Sequence, residues 1–160
     1  MRTTSFVAFD RIPDTAKIYV TNRLTEVIGA GLVIGVLAAA LSLVTWSAQD
    51  PTLNYAHEGA VRNLLGAPGA LMGDLIMQIW GMSALALLTP VAIWGCHLMA
   101  HHRLDRFVGR ITFLFCGSAC TAALASLLPV TANWPMPTGL GGVVGDAMIT
   151  LPRILIDGAH

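Results

Sequence analysis

Three histidines, His97, His101 and His102, fall within six residues of one another, and the first two are four apart. That is the spacing at which two imidazoles on one helix face can share a metal ion. No third or fourth ligand stands nearby in sequence, and Cys96 belongs to a different helix face. The cluster therefore reads as a solvated group at a membrane edge with basic neighbours, and neither a metal nor another cofactor is expected. Cys116 and Cys120 are also one helical turn apart, but in an apolar stretch they are expected to act as small packing side chains. Asp74 has two readings: an intramembrane proton carrier, or a carboxylate that caps a helix start and complements its dipole. The cap is the expectation. Ser47, Asp50, His57 and Glu58 gather in one polar segment, yet their spacing matches no nucleophile–base template. Gly139, Gly141, Gly142 and Gly145 approximate a dinucleotide fingerprint, but Val144 occupies its last glycine position and no strand is expected ahead of it. Lys17 is the only lysine and lies in no phosphate-binding loop. No catalytic residue is expected.

The elements that hold these residues follow from composition. Charged residues make up 11% of the 160-residue chain and apolar ones 55%, against about 25% charged in soluble domains. A soluble chain this small could not hide that much apolar surface. Nine basic residues balance nine acidic ones, so no overall field favours nucleic acid. The expected fold class is all-α, a polytopic bundle of membrane helices with three spans and a C-terminal interfacial or partial helix. The spans are 27–46, 75–100 and 111–130, each without an Asp, Glu, Lys or Arg. Twenty helical residues rise about 30 Å, the thickness of the hydrocarbon core. The second span is longer and must tilt, kink or protrude, with Pro90 as the kink site. Residues 140–156 carry Asp146, Pro152 and Arg153, whose insertion would cost several kcal/mol, so an interfacial or packed amphipathic helix is expected there. Ala38–Ala40 resembles a signal cleavage site, but the apolar run continues to Trp46, and an uncleaved anchor is the expectation. Gly31, Gly35 and Ala39 form a small-residue ridge suited to close helix packing, within the chain or between copies.

Orientation comes from the basic residues. Arg2, Arg11, Lys17 and Arg23 precede the first span, Arg62 alone follows it, Arg103, Arg106 and Arg110 follow the second, and Arg153 alone follows the third. This alternation places residues 1–26 and 101–110 in the cytoplasm and the 47–74 loop and 131–160 outside. Trp46 and Trp94 fit the interfacial aromatic belts.

The stretch WSAQDPTLNYA (Trp46 to Ala56), followed by VRNLLGAPGALMGDLIMQIWG (Val61 to Gly81), resembles the N-terminal membrane region of FtsK/SpoIIIE-type DNA translocases. Ser47, Asp50, Pro51, Asn63, Gly66, Gly69, Ala70 and Asp74 stand at that family's motif positions, with Thr52 in place of a usual Ser. Gly141, Gly142 and Gly145 resemble its glycine run after the third helix. Asp-Pro stops a helix and opens a turn, and glycines permit tight backbone contacts.

The resemblance implies a membrane anchor in the bacterial inner membrane that acts in cell division and chromosome segregation. In that family the region tethers a hexameric ATP-driven DNA motor at the septum. Walker motifs, a linker and a DNA-reading winged helix are missing from this sequence, so it reads as a fragment, a truncated frame or a stand-alone anchor. Neither motor activity nor direct nucleic-acid binding is expected of it. Membrane lipid and further copies of the chain, or division-machinery membrane proteins, are the expected partners. The alternative reading is a small subunit of a transport or redox complex, using His97, His101 and Asp74.

Overall fold

The computed structural model describes residues 13–51, 60–102, 104–131 and 134–157. The expectations for Arg2, Arg11, Thr52, His57, Glu58 and Arg103 lie outside the described residues. Five α-helices make up the fold: α1 (Asp14–Val44), α2 (Gly66–Trp80), α3 (Ala84–Met99), α4 (Phe107–Ser126) and α5 (Gly142–Asp157). A short 3₁₀ turn, Gly81–Ser83, joins α2 to α3. Three helical stretches, 14–44, 66–99 and 107–126, are long and apolar enough to cross a membrane, and α5 adds a further C-terminal helix. The protein is thus an all-α, multi-pass membrane bundle.

Helix α1 begins thirteen residues ahead of Val27 because nothing breaks the chain between Pro13 and the apolar run. Proline pre-sets the helical φ and needs no backbone donor there. Asp14 sits favourably in the first turn, and Lys17–Asp14 and Arg23–Glu26 pairs, at 3.5 and 2.6 Å, decorate this exposed extension. Its lower third is therefore polar on the outside and its upper two thirds apolar. Large exposed side chains such as Ile34, Leu37, Phe113 and Leu124 need no protein partner where lipid is the solvent.

Helices α1 and α3 run antiparallel and meet where neither has a side chain. A Cβ on Gly29 would lie 2.6 Å from the Gly95 carbonyl oxygen, and one on Gly95 would lie 2.9 Å from that of Gly29. This crossing fixes heights along the bundle. From Gly29 to Ser42, α1 climbs about 20 Å, and from Gly95 back to Gly81 the chain climbs about 21 Å. Ser42 in turn is bonded to Gly69 near the start of α2. The two ends of α2 therefore lie at nearly one height, and α2 runs across the upper end of the bundle. It packs on α1 and α5 and touches α3 little.

The break in the second apolar stretch falls at 81–83, not at the expected Pro90, which lies inside α3 without interrupting it. Gly81 takes φ 55 and sits against the Leu140 carbonyl, which accepts the Met82 N–H at 2.8 Å. That left-handed turn is free of cost only for glycine, whereas one missing proline donor is tolerated in a membrane helix.

The ridge expectation divides. Ala39 is buried, but a Cβ on Gly31 or Gly35 would meet nothing within 4 Å. Gly29, two residues from Gly31 and on another face, makes the contact. Gly29→Ala should lower the thermal midpoint of the purified chain in detergent, costing about 1–3 kcal/mol as for other overpacked sites. Gly31→Ala should leave it unchanged or slightly raise it; equal losses from the two would dismiss the crossing.

Candidate functional site

The family-motif positions converge on two joints at the upper end of the bundle. The first closes the return of the chain from α1 to α2. After α1 ends at Val44, Ser47 opens a turn whose carbonyl accepts the Asp50 N–H at 3.1 Å, and its hydroxyl accepts the Gln49 N–H at 3.3 Å. Asp50 is 1% exposed. Its carboxylate accepts the backbone N–H groups of Arg62 at 2.9 Å and Asn63 at 3.0 Å. A buried carboxylate needs such donors, because leaving it unpaired would cost several kcal/mol. Pro51, half-buried, follows it and forbids continuation of the turn as helix.

Asn63 works in both directions. Its Nδ2 donates to the Ser42 carbonyl at 2.9 Å, and its Oδ1 accepts the Leu65 N–H at 3.0 Å. The second of these bonds starts α2 at Gly66, which takes φ 68. Gly69, Ala70 and Gly73 form the face of α2 that settles on α1. The Ser42 hydroxyl donates to the Gly69 carbonyl, and a Cβ on Gly73 would stand 2.9 Å from both Ser42 oxygens. The Thr45 hydroxyl accepts the Leu64 N–H at 3.3 Å. Asp50, Asn63, Ser42 and Gly69 therefore act as one hydrogen-bonded knot.

Asp74 does not cap a helix start. Because α2 begins at Gly66, Asp74 lies in its third turn, 2% exposed, and accepts the Gln78 Nε2–H at 2.8 Å. The early start follows from the Asn63 turn and from Pro68, which is at home in a first helical turn.

The second joint fastens α5 to α2 and α4. Gly142 takes φ 65 and lies against the Gln78 and Ile79 carbonyls, while Gly141 and Gly145 lie against the Ala122 carbonyl. Asp146 accepts the Ser126 hydroxyl at 2.7 Å and the Gly139 N–H at 2.9 Å. Ser42, Ser126, Asp146, Gly29 and Gly95 were not singled out from sequence. Ser42 and Ser126 look ordinary beside the other hydroxyls of apolar helices. Asp146 counted only as an insertion cost, although a carboxylate four residues beyond a glycine run is a signal for backbone capture.

At the lower end His97 and His101 do not share one helix face, because the helix ends between them. Helix α3 stops at Met99, His101 takes φ 58, and the His101 and His102 N–H groups donate to the Leu98 and His97 carbonyls at 3.1 and 2.9 Å. This is a Schellman end with histidine in the left-handed position. It turns His102 onto His97, with ring centroids 5.8 Å apart. No group of three or more His, Cys, Asp or Glu gathers among the described residues. Cys116 and Cys120 are exposed, so they do not pack within the chain as expected.

Crossing helices joined at one end by backbone-directed polar side chains define a multi-pass membrane module. The chain matches the family described as the 4TM region of DNA translocase FtsK/SpoIIIE over residues 21–157, and it belongs to that family. It is 38% identical over 144 residues to a DNA translocase FtsK of Bradyrhizobium diazoefficiens, covering 90% of this chain and 18% of that protein. Relatives with the same name in Mesorhizobium japonicum and Brucella suis are 37% and 38% identical over 140 residues each, covering 88% and 87% of this chain and 16% of each relative. The chain spans less than a fifth of the length of these relatives, and the match is to their membrane region. No solved structure matches it.

Asp50→Ala should destabilise the chain by about 2–3 kcal/mol through loss of two charge-assisted bonds, and Asn63→Ala by about 1–2 kcal/mol. Because the knot acts as a unit, the double variant should lose clearly less than the sum of the two. Denaturation midpoints of the three variants check this; strict additivity would mean that the two residues act separately. Asp146→Ala should leave helices α1–α4 intact while protease cuts α5 sooner.

Proposed function

We propose that this chain is an inner-membrane anchor of FtsK type, acting at the division septum in support of chromosome segregation. The family match across 21–157 carries the reading. Within the bundle, the hydrogen-bonded upper end supports a role in holding helices, and through them other copies of the chain or membrane proteins of the division machinery, at one fixed geometry. DNA translocation itself belongs to the names of the relatives.

The concentration of basic residues in 1–26 and 101–110 supports a cytoplasmic location for these segments, and so for the lower end of the bundle. The joints at Asp50 and Asp146 then face the periplasm. In this placement α1, α3 and α4 cross the membrane and α2 lies along the periplasmic border. The family description counts four membrane segments. Helix α5, with 16 residues like α3, is the remaining helix of that length. Asp146, the first of its three apparent insertion costs, is already bound to Ser126 and Gly139. We therefore assign α5 as the fourth segment, in place of the interfacial helix expected from sequence.

A periplasm-only enzyme reporter should be active when fused after Asn54 and silent after Arg106 and after Asp157. Activity after Arg106 would reverse the orientation, and activity after Asp157 would return α5 to the interface. A fluorescent fusion at the N-terminus should form a midcell band in dividing cells; an even envelope outline would dismiss the septal role for this chain.

A further inference from the structure

No Cα of α1 lies within 8 Å of one in α4. The two helices stand apart on either side of α3, and the gap between them is a cleft in two parts. At the lower end is a cup of about 410 Å³ lined by Thr21, Asn22 and Thr25 of α1 and by His101 and His102. Above it, toward the middle of the bundle, is a groove of about 400 Å³ lined by Ile28, Leu32, Val91, Trp94, Ile111 and Leu114. Leu98, Leu104 and Phe107 line both, so the cup opens into the groove.

The chemistry changes sharply between them. The cup offers the Asn22 amide and two imidazoles, each imidazole carrying at least one N–H donor. The Thr21 and Thr25 hydroxyls are already donated to the Lys17 and Asn22 carbonyls. Among the described residues, no carboxylate lines the cup. Nearby Glu26 is held by Arg23, and exposed Asp105 lends its backbone carbonyl to Arg110 Nε at 3.0 Å. Arg106 directly precedes the lining Phe107, and Arg110 lies one turn further along α4. The groove has aliphatic and aromatic walls only.

We propose that the cup and groove together form a binding site for one phospholipid with an anionic headgroup: phosphate in the cup, one acyl chain in the groove between α1 and α4. Several observations favour this occupant over a protein helix or a soluble anion. The cup lies at the end of the bundle where charged side chains reappear, which is where a headgroup sits, and the groove runs from it into the apolar zone. A transmembrane helix would fill the groove but would present apolar side chains to Asn22, His101 and His102. A soluble anion would use the cup and leave the groove unexplained. The Asn22 amide and the two imidazoles supply N–H donors of the kind a lipid phosphate accepts from. The assignment holds whichever side of the membrane the lower end occupies.

The test is native mass spectrometry of the full chain in mild detergent, with phosphatidylglycerol, phosphatidylcholine and inorganic phosphate as separate probes. One phosphatidylglycerol per chain should survive activation that strips phosphatidylcholine, and inorganic phosphate should not displace it. His101→Gly with His102→Ala keeps the left-handed turn and should weaken phosphatidylglycerol about tenfold, with phosphatidylcholine unchanged. His97→Ala, outside the cup, should bind as the parent does. Phosphatidylglycerol with a brominated tail, added at one per chain, should quench fluorescence that is missing in Trp94→Phe. Equal retention of the two lipids, full retention by the double histidine variant, equal loss in His97→Ala, no Trp94-dependent quenching, or displacement by phosphate as an adventitious anion would each overturn the site.

Discussion

The upper end of this bundle depends on one buried carboxylate. Asp50 follows the last turn of α1 and takes two successive backbone N–H groups, from Arg62 and Asn63. Among the described residues Asp50 makes no ion pair, and backbone donors hold its carboxylate. This arrangement has a geometric consequence. Two adjacent amides can converge on one carboxylate only if the returning segment lies beside the end of α1, and this position delivers Asn63 to the Ser42 carbonyl. Asn63 then fixes Leu65, Leu65 precedes the first turn of α2, and the glycine face of α2 comes to rest on Ser42. Register and direction of α2 follow from where Asp50 is.

Within the bilayer the driving force is different. Lipid is as apolar as the side chains it touches, so burying leucine against leucine gains little, and close backbone approach takes over. The Gly29–Gly95 crossing and the Gly141–Ala122 contact are of this kind. Both bring a carbonyl to within reach of a glycine Cα, a distance that any side chain would prevent. The described core is accordingly made mostly of small side chains, with Ala122 and Ser42 fully covered, together with the buried Asp50, Asn63, Asp74 and Met136.

This inversion explains what could be read from sequence. The apolar spans and the break after α1 were legible, because turn chemistry and hydropathy are local, whereas the Asn63 and Gly69 positions were pointed to only by the family resemblance. The face of a helix was not. Gly31 and Gly35 have the spacing of a packing ridge, yet the contact is made by Gly29, since the choice depends on where α3 presents Gly95. Pro90 carried the strongest local signal for a break, whereas the break belongs to Gly81, whose partner Leu140 is 59 residues away. Asp74 had the position of a cap only as long as the start of α2 was read from the charge pattern; the Asn63 turn moves that start to Gly66. In each case the deciding atom lies on another element.

The hydroxyls show how the module divides its stiffness between its two ends. Thr21, Thr89, Thr112, Ser118 and Thr121 each donate to the carbonyl four residues earlier in their own helix. Such bonds make a polar side chain acceptable to lipid without linking it to anything. Ser42 and Ser126 depart from this pattern and donate to another element. Both are at the upper end, beside Asp50 and Asp146, where the Met82–Leu140 bond also falls. Side-chain and backbone bonds thus tie α1 to α2, α2 to α5 and α5 to α4 at one end of the bundle. At the other end α1 meets α3 through bare backbone contact, and α1 and α4 remain apart. Bonds between elements gather at the upper end, whereas the lower end is held by the close Gly29–Gly95 crossing. The gap between α1 and α4 lies at that lower end, because no bond among the described residues spans it and α3 stands between the two helices.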